Sequence, residues 1–262
     1  MSEDPRITSR HHPLIQRCRR VAQRGDDDVV LLDGEHLVDE ARRARVPIDA
    51  AITDGRAESV VGRLRAAGVP VHDVSPALLE AASPVRTPSG VVALARWRPA
   101  PLADALDGPR PLALALCDVQ DPGNLGSVIR AADALGATGV LTLGESAQPG
   151  GWKALRGAMG STFRVPVARG ALGDAIRLAR ARGLHVFAAV ATGGTPIERA
   201  NLTRPALILV GHEGAGLAET TQSAADERIT VPMRAGVDSL NVAVTAALLL
   251  FEARRQRASP TP

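Results

Sequence analysis

Six short apolar runs after residue 111 constrain the fold of this chain most strongly. Apolar and polar residues do not alternate within them, which is typical of strands in a parallel sheet covered on both faces. Helical patterns separate the runs, as in repeated strand-helix units. Strands are predicted at residues 112–117, 139–143, 163–167, 185–189, 206–210 and 228–231, and helices at 125–135, 152–160, 172–182, 218–225 and 240–251. These units predict a doubly wound α/β domain.

The first part of the chain also alternates between strands and helices. Strands are predicted at 29–32, 50–53, 69–73 and 90–95, and helices at 12–24, 34–44, 58–67 and 77–82. This order predicts a small α/β sandwich. A proline-rich stretch separates the two parts and indicates a boundary, with prolines at 99, 101, 109 and 111. We expect a first domain at 1–97, a linker at 98–111, a second domain at 112–257 and a tail at 258–262.

Composition excludes several classes of protein. The 262 residues are 45% apolar, which is enough for a packed core. The longest nearly uninterrupted apolar run, 242–251, is about half of the roughly 20 residues that a membrane-spanning helix needs, and the N-terminus is charged rather than signal-like. Cys18 and Cys117 lie far apart, without metal-binding or redox spacing, so a reducing compartment, the cytoplasm, is expected.

The basic residues are almost all arginines. Lys153 is the only lysine among 31 lysine and arginine residues, and the formal net charge is +3. Arginine binds phosphate with a planar fork of donors, which suits a nucleic-acid partner. A GC-rich genome that replaces lysine with arginine explains the same composition equally well. A phosphate-binding P-loop is excluded, because Lys153 follows Trp152 and precedes Ala154 instead of lying in a Gly-Lys-Ser/Thr sequence.

The last predicted helix, residues 240–251, has almost no polar face, which implies burial on every side. Ser239 is a good residue for capping its N-terminus. Asn241 would then lie in the first turn of a buried helix, where an unpaired amide costs roughly 1 to 3 kcal/mol. Two interpretations are open: Ser239 and Asn241 only hold the start of the helix, or Asn241 faces a polar site.

The loop after the first strand of the second domain carries a polar pattern. Ligands of open parallel sheets bind beyond the carboxyl ends of the strands, so this loop is a candidate site. Asn124 is placed to cap the next helix, and Gly126 and Arg130 share one face of it. The missing side chain at Gly126 would let another molecule approach the guanidinium. Alternatively, Arg130 pairs with Asp133 on a solvated surface.

The strand at 206–210 is followed by Gly211-His-Glu-Gly-Ala-Gly216. Its three glycines allow a ligand to approach the backbone closely, and Glu213 is its only carboxylate. The glycine order differs from G-x-G-x-x-G and does not follow the first strand, which argues against a dinucleotide-binding enzyme. No second histidine or cysteine lies at metal-ligand spacing from His212, so we expect His212 to have a structural or supporting role.

Three segments together resemble a known family. They are Asn124-x-Gly-x-x-x-Arg130, Val210-Gly-His-Glu-Gly-Ala-Gly-Leu217 and Val231-Pro-Met-x-x-x-x-x-Ser-Leu-Asn-Val-Ala-Val244. In order and spacing, across residues 110–257, they look like the three motifs of the SpoU branch of the SPOUT RNA methyltransferases. The first part, with residues 31–41 as the matching stretch, resembles the small ribosomal-protein-like RNA substrate-binding domain that often precedes this catalytic domain.

The resemblance implies transfer of a methyl group from S-adenosylmethionine to a ribose 2'-hydroxyl, with ribosomal RNA as the expected substrate. It also implies a trefoil knot, and it involves no metal. A homodimer through the C-terminal helix and the first-motif helix is expected, with each active site completed by the neighbouring subunit. The cofactor-binding residues that it implies are Gly211, Val231, Met233 and Leu240, with Ala191 and Thr192 closing the other side.

Catalysis is expected to depend on Arg130. An unperturbed guanidinium is a poor base, so we expect it to stabilise negative charge on the RNA phosphate and the attacking oxygen. The residues expected to orient Arg130, the ribose and the loops are Asn124, Glu213, Ser239 and Asn241. Base stacking is not expected, because aromatic residues are 2% of the chain. The candidate RNA-binding arginines of the first domain and linker are Arg6, Arg10, Arg17, Arg19, Arg20, Arg86 and Arg96.

Three other functions stay open. The protein could methylate the 2'-hydroxyl of transfer RNA, which the attached N-terminal domain argues against. It could be a non-catalytic RNA-binding or ribosome-assembly factor that retains the fold, although Asn124, Arg130, Glu213 and Asn241 are all present. A nucleotide-dependent oxidoreductase is the third alternative, and the displaced glycine pattern argues against it.

Overall fold

The computed structural model describes residues 6–258 and divides into two compact units. The first unit contains the described residues up to Arg98 together with Gly150–Phe163. The second unit contains Pro99–Pro149 and the described residues from Arg164 onward. This division differs from the predicted domains, because a stretch from the middle of the sequence belongs to the first unit.

The first unit is a four-stranded sheet with helices on both faces. Its sheet order is β1-β4-β2-β3, with β4 antiparallel to β1 and β2, and β2 parallel to β3. Alternate residues of β1 enter two separate apolar cores, with Val30 on one side and Leu31 on the other. The first unit is therefore a mixed α/β unit. Its elements are α1 (Pro13–Arg24), β1 (Val29–Asp33), α2 (Glu35–Arg43), β2 (Ile48–Thr53), α3 (Glu58–Ala66), β3 (Val71–Asp73), α4 (Pro76–Ala82) and β4 (Val91–Arg96).

The rest of the chain continues the strand-helix alternation. Four of the six predicted strands, at 112–117, 139–143, 185–189 and 206–210, have the predicted bounds. A single 3-10 turn lies at Ser161–Phe163. The elements are α5 (Leu102–Ala105), β5 (Leu112–Cys117), α6 (Pro122–Leu135), β6 (Gly139–Leu143), α7 (Trp152–Ala158), β7 (Val167–Gly170), α8 (Leu172–Ala181), β8 (His185–Ala189), β9 (Thr195–Pro196), β10 (Ala206–Val210), α9 (Glu219–Ser223), β11 (Glu227–Thr230) and α10 (Val242–Ala258).

The second unit is built on a parallel sheet of seven strands in the order β7-β6-β5-β10-β8-β11-β9. All its strand pairs are parallel, and every residue of β5, β6 and β10 is buried. These strands therefore read as continuous apolar runs. The chain builds outward from β5 through β6 and β7, and then places β10 on the other side of β5. Such a reversal of strand order brings loops together at the carboxyl ends of the strands.

The strand predicted at 163–167 is wrong. The structure has a 3-10 turn at Ser161–Phe163 and a strand that begins only at Val167. Pro166 explains the difference, because proline has no N–H to donate to a strand ladder. Its carbonyl still accepts a hydrogen bond from the Val140 N–H at 2.9 Å, so the ladder starts next to it.

Residues 150–163 pack with the first unit, although the sequence places them between β6 and β7. Leu155 and Ala158 are fully buried, and Leu155 belongs to the same apolar core as Val30. A side chain at Gly160 would lie 2.6 Å from the Cβ atom of Glu40, so this stretch is closely fitted to α2. The first unit is therefore assembled from two separate stretches of chain.

The proline-rich stretch predicted as a linker belongs structurally to the second unit. It contains the short helix α5, whose Ala105 is fully buried, and Ala100 forms a β-bridge with Ala168. Gly139 permits this packing, since a side chain there would lie 2.5 Å from the Cα atom of Ala105.

The last helix, α10, packs on α6 and is not buried on every side. Arg254 donates a hydrogen bond of 3.0 Å to the Ala134 carbonyl of α6. Val244, Leu248 and Phe251 are 47%, 38% and 59% exposed, and their spacing of four and three residues places them on one face. The alternative in which the single chain buries this face is therefore not found. Neither α10 nor any other helix within residues 6–258 has the length and apolarity to cross a bilayer.

Candidate cofactor and catalytic site

A cavity of about 810 Å³, counted out to its open mouth, lies at the carboxyl ends of β8, β10 and β11. Three loops and the first two turns of α10 form its wall. It contains five of the six predicted cofactor-binding residues, which are Ala191, Gly211, Val231, Met233 and Leu240. The predicted Glu213 and Ser239 also line it.

The loop after β10 folds back tightly on itself. A side chain at Gly211 would collide with the backbone of Gly216 and Leu217, so only glycine fits. The His212 N–H donates to the Gly216 carbonyl at 3.2 Å, and the Gly216 N–H donates to the His212 carbonyl at 2.9 Å. The Nδ1 atom of His212 accepts a hydrogen bond of 2.9 Å from the Gly214 N–H. His212 therefore stabilises the loop, which is the structural role expected for it.

The loop after β8 closes the opposite side of the cavity. The Thr230 hydroxyl donates a hydrogen bond of 3.0 Å to the Ala191 carbonyl, which ties this loop to the end of β11. The predicted Thr192 is exposed and is not brought to the cavity wall. The chain leaves the wall at Gly193, whose φ of +74° is in the left-handed region, and at Gly194, where a side chain would lie 2.7 Å from the Ile229 backbone.

Asn241, and not Ser239, caps α10. The Oδ1 atom of Asn241 accepts hydrogen bonds from the N–H groups of Ala243 at 2.8 Å and Val244 at 3.4 Å. Its carbonyl accepts the first helical bond, 2.9 Å from the Thr245 N–H. The helix begins two residues later than predicted, which leaves Ser239 in the loop and on the cavity wall.

The predicted cap of α6 also differs from the structure. Asp121 caps this helix, since its Oδ1 atom accepts from the Asn124 N–H at 2.7 Å. The Asp121-Pro122 pair was the available signal, because proline is favoured at the first helical position after a capping residue. The Asn124 side chain is therefore not needed at the helix end and is free for another partner.

A chain of side-chain hydrogen bonds connects α10, α6 and the glycine loop. The Nδ2 atom of Asn241 donates to the Oδ1 atom of Asn124 at 3.0 Å. The Nδ2 atom of Asn124 then donates to the Oε1 atom of Glu213 at 3.0 Å. Three of the predicted site residues, 117 positions apart at most, thus meet at the edge of the cavity. The bonds fix the orientation of both amides, because each carbonyl oxygen must face a donor.

Arg130 lies in the third turn of α6 and is exposed. Within residues 6–258 its guanidinium forms no hydrogen bond or ion pair with protein. The alternative pairing with Asp133 is not found, because the Oδ2 atom of Asp133 accepts a hydrogen bond of 2.8 Å from Arg164. Arg130 therefore presents an uncompensated positive charge to solvent.

Several residues of the cavity wall were not predicted from the sequence, among them two on α10. Thr245 and Leu249 lie on α10 and line the cavity together with Val242. The three are three and four residues apart and share one helix face. Their apolar or neutral side chains carry no chemical signal, and only the helix start at Val242 would have revealed that face.

Neither cysteine is suited to nucleophilic chemistry. Burial raises the pKa of Cys117, which ends β5, to about 12, and burial also raises the pKa of Cys18 to about 12. A thiol with such a pKa is inert at neutral pH. Among the described residues, no group of three or more histidine, cysteine, aspartate or glutamate side chains could hold a metal ion.

Comparison with known proteins agrees with this geometry. The SpoU rRNA Methylase family model matches residues 111–251. The 23S rRNA (guanosine(2553)-2'-O)-methyltransferase RlmP of Bacillus subtilis (strain 168) is 31% identical over 232 residues, which are 88% of this chain and 91% of that protein.

Solved structures give the same result. The AdoMet-bound rRNA methyltransferase from Sinorhizobium meliloti is 31% identical with a TM-score of 0.87, over 98% of this chain and 100% of that one. The SpoU methyltransferase AviRb from Streptomyces viridochromogenes, in complex with AdoMet, is 26% identical with a TM-score of 0.84, over 94% of this chain and 99% of that one. The family match spans more than half of the chain, and the chain belongs to the SpoU rRNA methylase family.

Proposed function

We propose that this chain transfers a methyl group from S-adenosylmethionine to a ribose 2'-hydroxyl of ribosomal RNA. The observation that carries the proposal is the hydrogen-bonded chain Asn241-Asn124-Glu213 at the edge of the cavity. It joins all three sequence motifs at one place. RlmP, whose name describes 2'-O-methylation of 23S rRNA, supports the choice of substrate.

The cavity fits S-adenosylmethionine. Its wall combines apolar side chains with the backbone of a glycine loop, which is the composition of small-molecule sites. Val231, Met233 and Leu240 offer an apolar surface to an adenine ring, while the loop after β10 offers backbone N–H and carbonyl groups. Once bound, the sulfonium supplies an already activated methyl group. The protein's own task is then mainly to hold the acceptor hydroxyl in line with it.

Arg130 is proposed to act by electrostatic stabilisation. Its guanidinium is exposed and has no protein partner among the described residues, so it is available to a phosphate of the RNA. Arginine stays protonated at neutral pH, and it can stabilise the negative charge that develops on the attacking oxygen. Loss of one such donor typically lowers the rate on the order of 100-fold to 1000-fold.

Asn124, Glu213 and Asn241 are proposed to position the site. They connect the N-terminal turns of α6 and α10 with the glycine loop, so a movement of one element displaces the others. Asn124 holds Oε1 of Glu213, which leaves Oε2 available to the ribose. Ser239, on the cavity wall, is proposed to contact the ribose or the loops. The last loop, 231–241, is proposed to thread the trefoil knot of the family.

We further propose a homodimer through the exposed face of α10. Val244, Leu248 and Phe251 form an apolar stripe beside α6, and such a stripe is stabilised when a second subunit covers it. The exposed positions of α6, which include Arg130 and Ser127, would then face the same partner. The neighbouring subunit is proposed to complete each active site.

The first unit is proposed to bind the RNA substrate. Arg17 and Arg96 share the carboxylate of Asp49, at 3.5 and 2.7 Å, so their charge is partly compensated. Arg19 and Arg20, on the same helix as Arg17, are exposed and are better candidates for phosphate contacts. The two buried, unbridged thiols agree with the reducing cytoplasm that we propose for this activity.

Labelled S-adenosylmethionine distinguishes these functions. The protein is incubated with unmodified transcripts of the ribosomal RNAs and, separately, of the transfer RNAs. We expect label in a ribosomal transcript. Label only in transfer RNA would support the alternative substrate, and a protein that binds both RNAs but labels neither would be a non-catalytic factor that retains the fold.

A further inference from the structure

The first unit contains a notch that lies between α1, the end of α4 and the first residue of α7. Its empty volume is about 650 Å³. Arg19 and Gln23 line it from α1, Ser83 and Pro84 from the loop after α4, and Trp152 from α7. The sequence places Trp152 far from the other four, so the notch exists only because residues 150–163 pack with the first unit.

Trp152 is not part of the apolar core. Its side chain is half-buried, whereas Leu155 and Ala158 of the same helix are fully buried. The other tryptophan, Trp97, packs against the apolar core. A large aromatic ring that borders an open recess on a firmly anchored helix is a surface for stacking.

The notch carries positive charge. None of the described residues that line it is acidic. Arg19 is exposed and has no ion pair with protein in the part of the chain that the structure describes. The Nζ atom of Lys153 lies 5.5 Å from the centroid of the Trp152 ring. Asp33, whose carboxylate accepts a hydrogen bond from Ser83, does not itself line the notch.

We propose that this notch binds an unpaired RNA nucleotide, with the base stacked on Trp152 and the adjoining phosphates bound by Arg19 and Lys153. A partly exposed aromatic ring flanked by cations is the combination that recognises single-stranded nucleic acid. The inference rests on the proposed function in that it takes RNA as the substrate. It departs from the expectation that base stacking plays no part, since one suitably placed indole is enough.

Binding of a 12-nucleotide single-stranded oligoadenylate tests the proposal directly. Its affinity is measured by fluorescence anisotropy of an end-labelled strand, and stacking is measured by quenching of the protein's tryptophan emission. Trp152→Ala should weaken binding about 5-fold to 150-fold, the range expected for one stacked base. Trp152→Phe should retain most of the affinity but lose the quenching.

Control variants separate stacking from charge and from folding. Arg19→Ala should weaken binding several-fold and lower the slope of log affinity against log salt by about 1. Arg65→Ala is the matched control, since Arg65 is an exposed arginine of the same unit that pairs with Asp73 at 3.2 Å, and it should bind like the parent protein. Circular dichroism and thermal melting of each variant report whether it has folded.

Three results would contradict the proposal that the notch binds a nucleotide. They are unchanged affinity of a folded Trp152→Ala protein, equal quenching by inorganic polyphosphate, and equal quenching by an RNA duplex of the same length. Failure of the proposed methyl transfer gives a different outcome: the oligonucleotide still quenches Trp152, but no RNA is methylated. If transfer occurs and Trp152→Ala leaves KM for RNA unchanged, the nucleotide site at the notch is wrong and the proposed function is not.

Discussion

Asn124 forms side-chain hydrogen bonds with two other residues of the candidate site. The two polar atoms of its side chain have different roles. Oδ1 accepts a hydrogen bond from the Asn241 amide, and Nδ2 donates one to the Glu213 carboxylate. The Asn124 amide cannot be reversed, because the Glu213 carboxylate accepts hydrogen bonds and does not donate them. The position therefore requires an amide, and an acid of the same shape cannot replace it.

Asn124→Asp tests this requirement. The new carboxylate would face Glu213. We therefore expect Asn124→Asp to melt at a lower temperature at pH 7 than Asn124→Ala, and its free energy of unfolding to be lower by about 1 to 3 kcal/mol. The difference between the two variants should shrink as the pH is lowered and the new aspartate is protonated. Thermal melts from pH 7 to pH 4 measure it, and equal melting temperatures at pH 7 would show that the Glu213 bond does not form.

Asp226 makes the stability of the second unit depend on pH. Burial opposes its ionisation, but hydrogen bonds from the Val186 N–H at 2.8 Å and from Arg180 at 2.7 Å outweigh burial and hold its pKa below the ordinary value. A carboxyl with a lowered folded pKa stabilises the protein above its unfolded pKa of about 3.9. This stabilisation is lost as the pH falls through the lower folded value.

Asp226→Asn should therefore be less stable than the parent protein at pH 7, by about 1 kcal/mol. The gap should close below about pH 4, where the unfolded carboxyl becomes protonated. Urea unfolding between pH 7 and pH 3 measures the gap. Asp174→Asn is the matched control, because Asp174 pairs with Arg177 on an exposed surface and should change stability little at any pH. A gap of constant size would contradict the assignment.

At the scale of elements, α10 has two different faces. One face contacts α6 and, through Val242, Thr245 and Leu249, the cavity. The other presents Val244, Leu248 and Phe251 to solvent. Its apolar sequence predicts burial but cannot say whether the cover comes from the same chain. One face is covered by the same chain, and the other would be covered by the second subunit of the proposed dimer.

Phe251→Glu should prevent dimerisation without unfolding the subunit. Phe251 is 59% exposed, so a charge there is solvated in the monomer but would be buried in the dimer, where it costs several kcal/mol. By sedimentation equilibrium we expect a dimer for the parent protein and a monomer for the variant. The subunits of both proteins should melt similarly. A parent protein that is monomeric at micromolar concentration would contradict the proposal.

At the scale of the whole molecule, local patterns predicted most elements but not their association. The strands at 112–117 and 206–210 were predicted correctly because buried parallel strands are continuous apolar runs. The start of β7 was missed because Pro166 interrupts such a run. The helix 152–158 was predicted with nearly correct bounds, but no local pattern shows that Leu155 enters the core of the first unit.

For the candidate site, too, the sequence predicts the local features but not how they associate. Glycine spacing and strand ends located the cavity loops, and five of the six proposed cofactor-binding residues line it. The cap at Asn241 was missed because Ser239 is an equally good capping residue by type. The bonds of Asn124 to Asn241 and Glu213 join residues far apart in sequence, so only the fold could reveal them.

A fragment ending at residue 98 should not fold stably. It lacks 150–163, and without Leu155 and Ala158 the apolar core around Val30 is open to water. We expect a broad thermal transition and binding of a hydrophobic dye. Joining 150–163 to the fragment through a flexible glycine-serine linker should restore a cooperative transition. A fragment that melts cooperatively without this stretch would contradict the two-part assembly.

The most direct test of the proposed reaction identifies where the methyl group goes. Unmodified ribosomal RNA transcripts are incubated with labelled S-adenosylmethionine and then hydrolysed in alkali, which cleaves RNA only next to a free 2'-hydroxyl. We predict label in alkali-resistant dinucleotides, and a decrease on the order of 100-fold to 1000-fold for Arg130→Ala with cofactor binding retained. Label in mononucleotides would place the methyl group on a base, and an Arg130→Ala protein of full activity would contradict the catalytic role of Arg130.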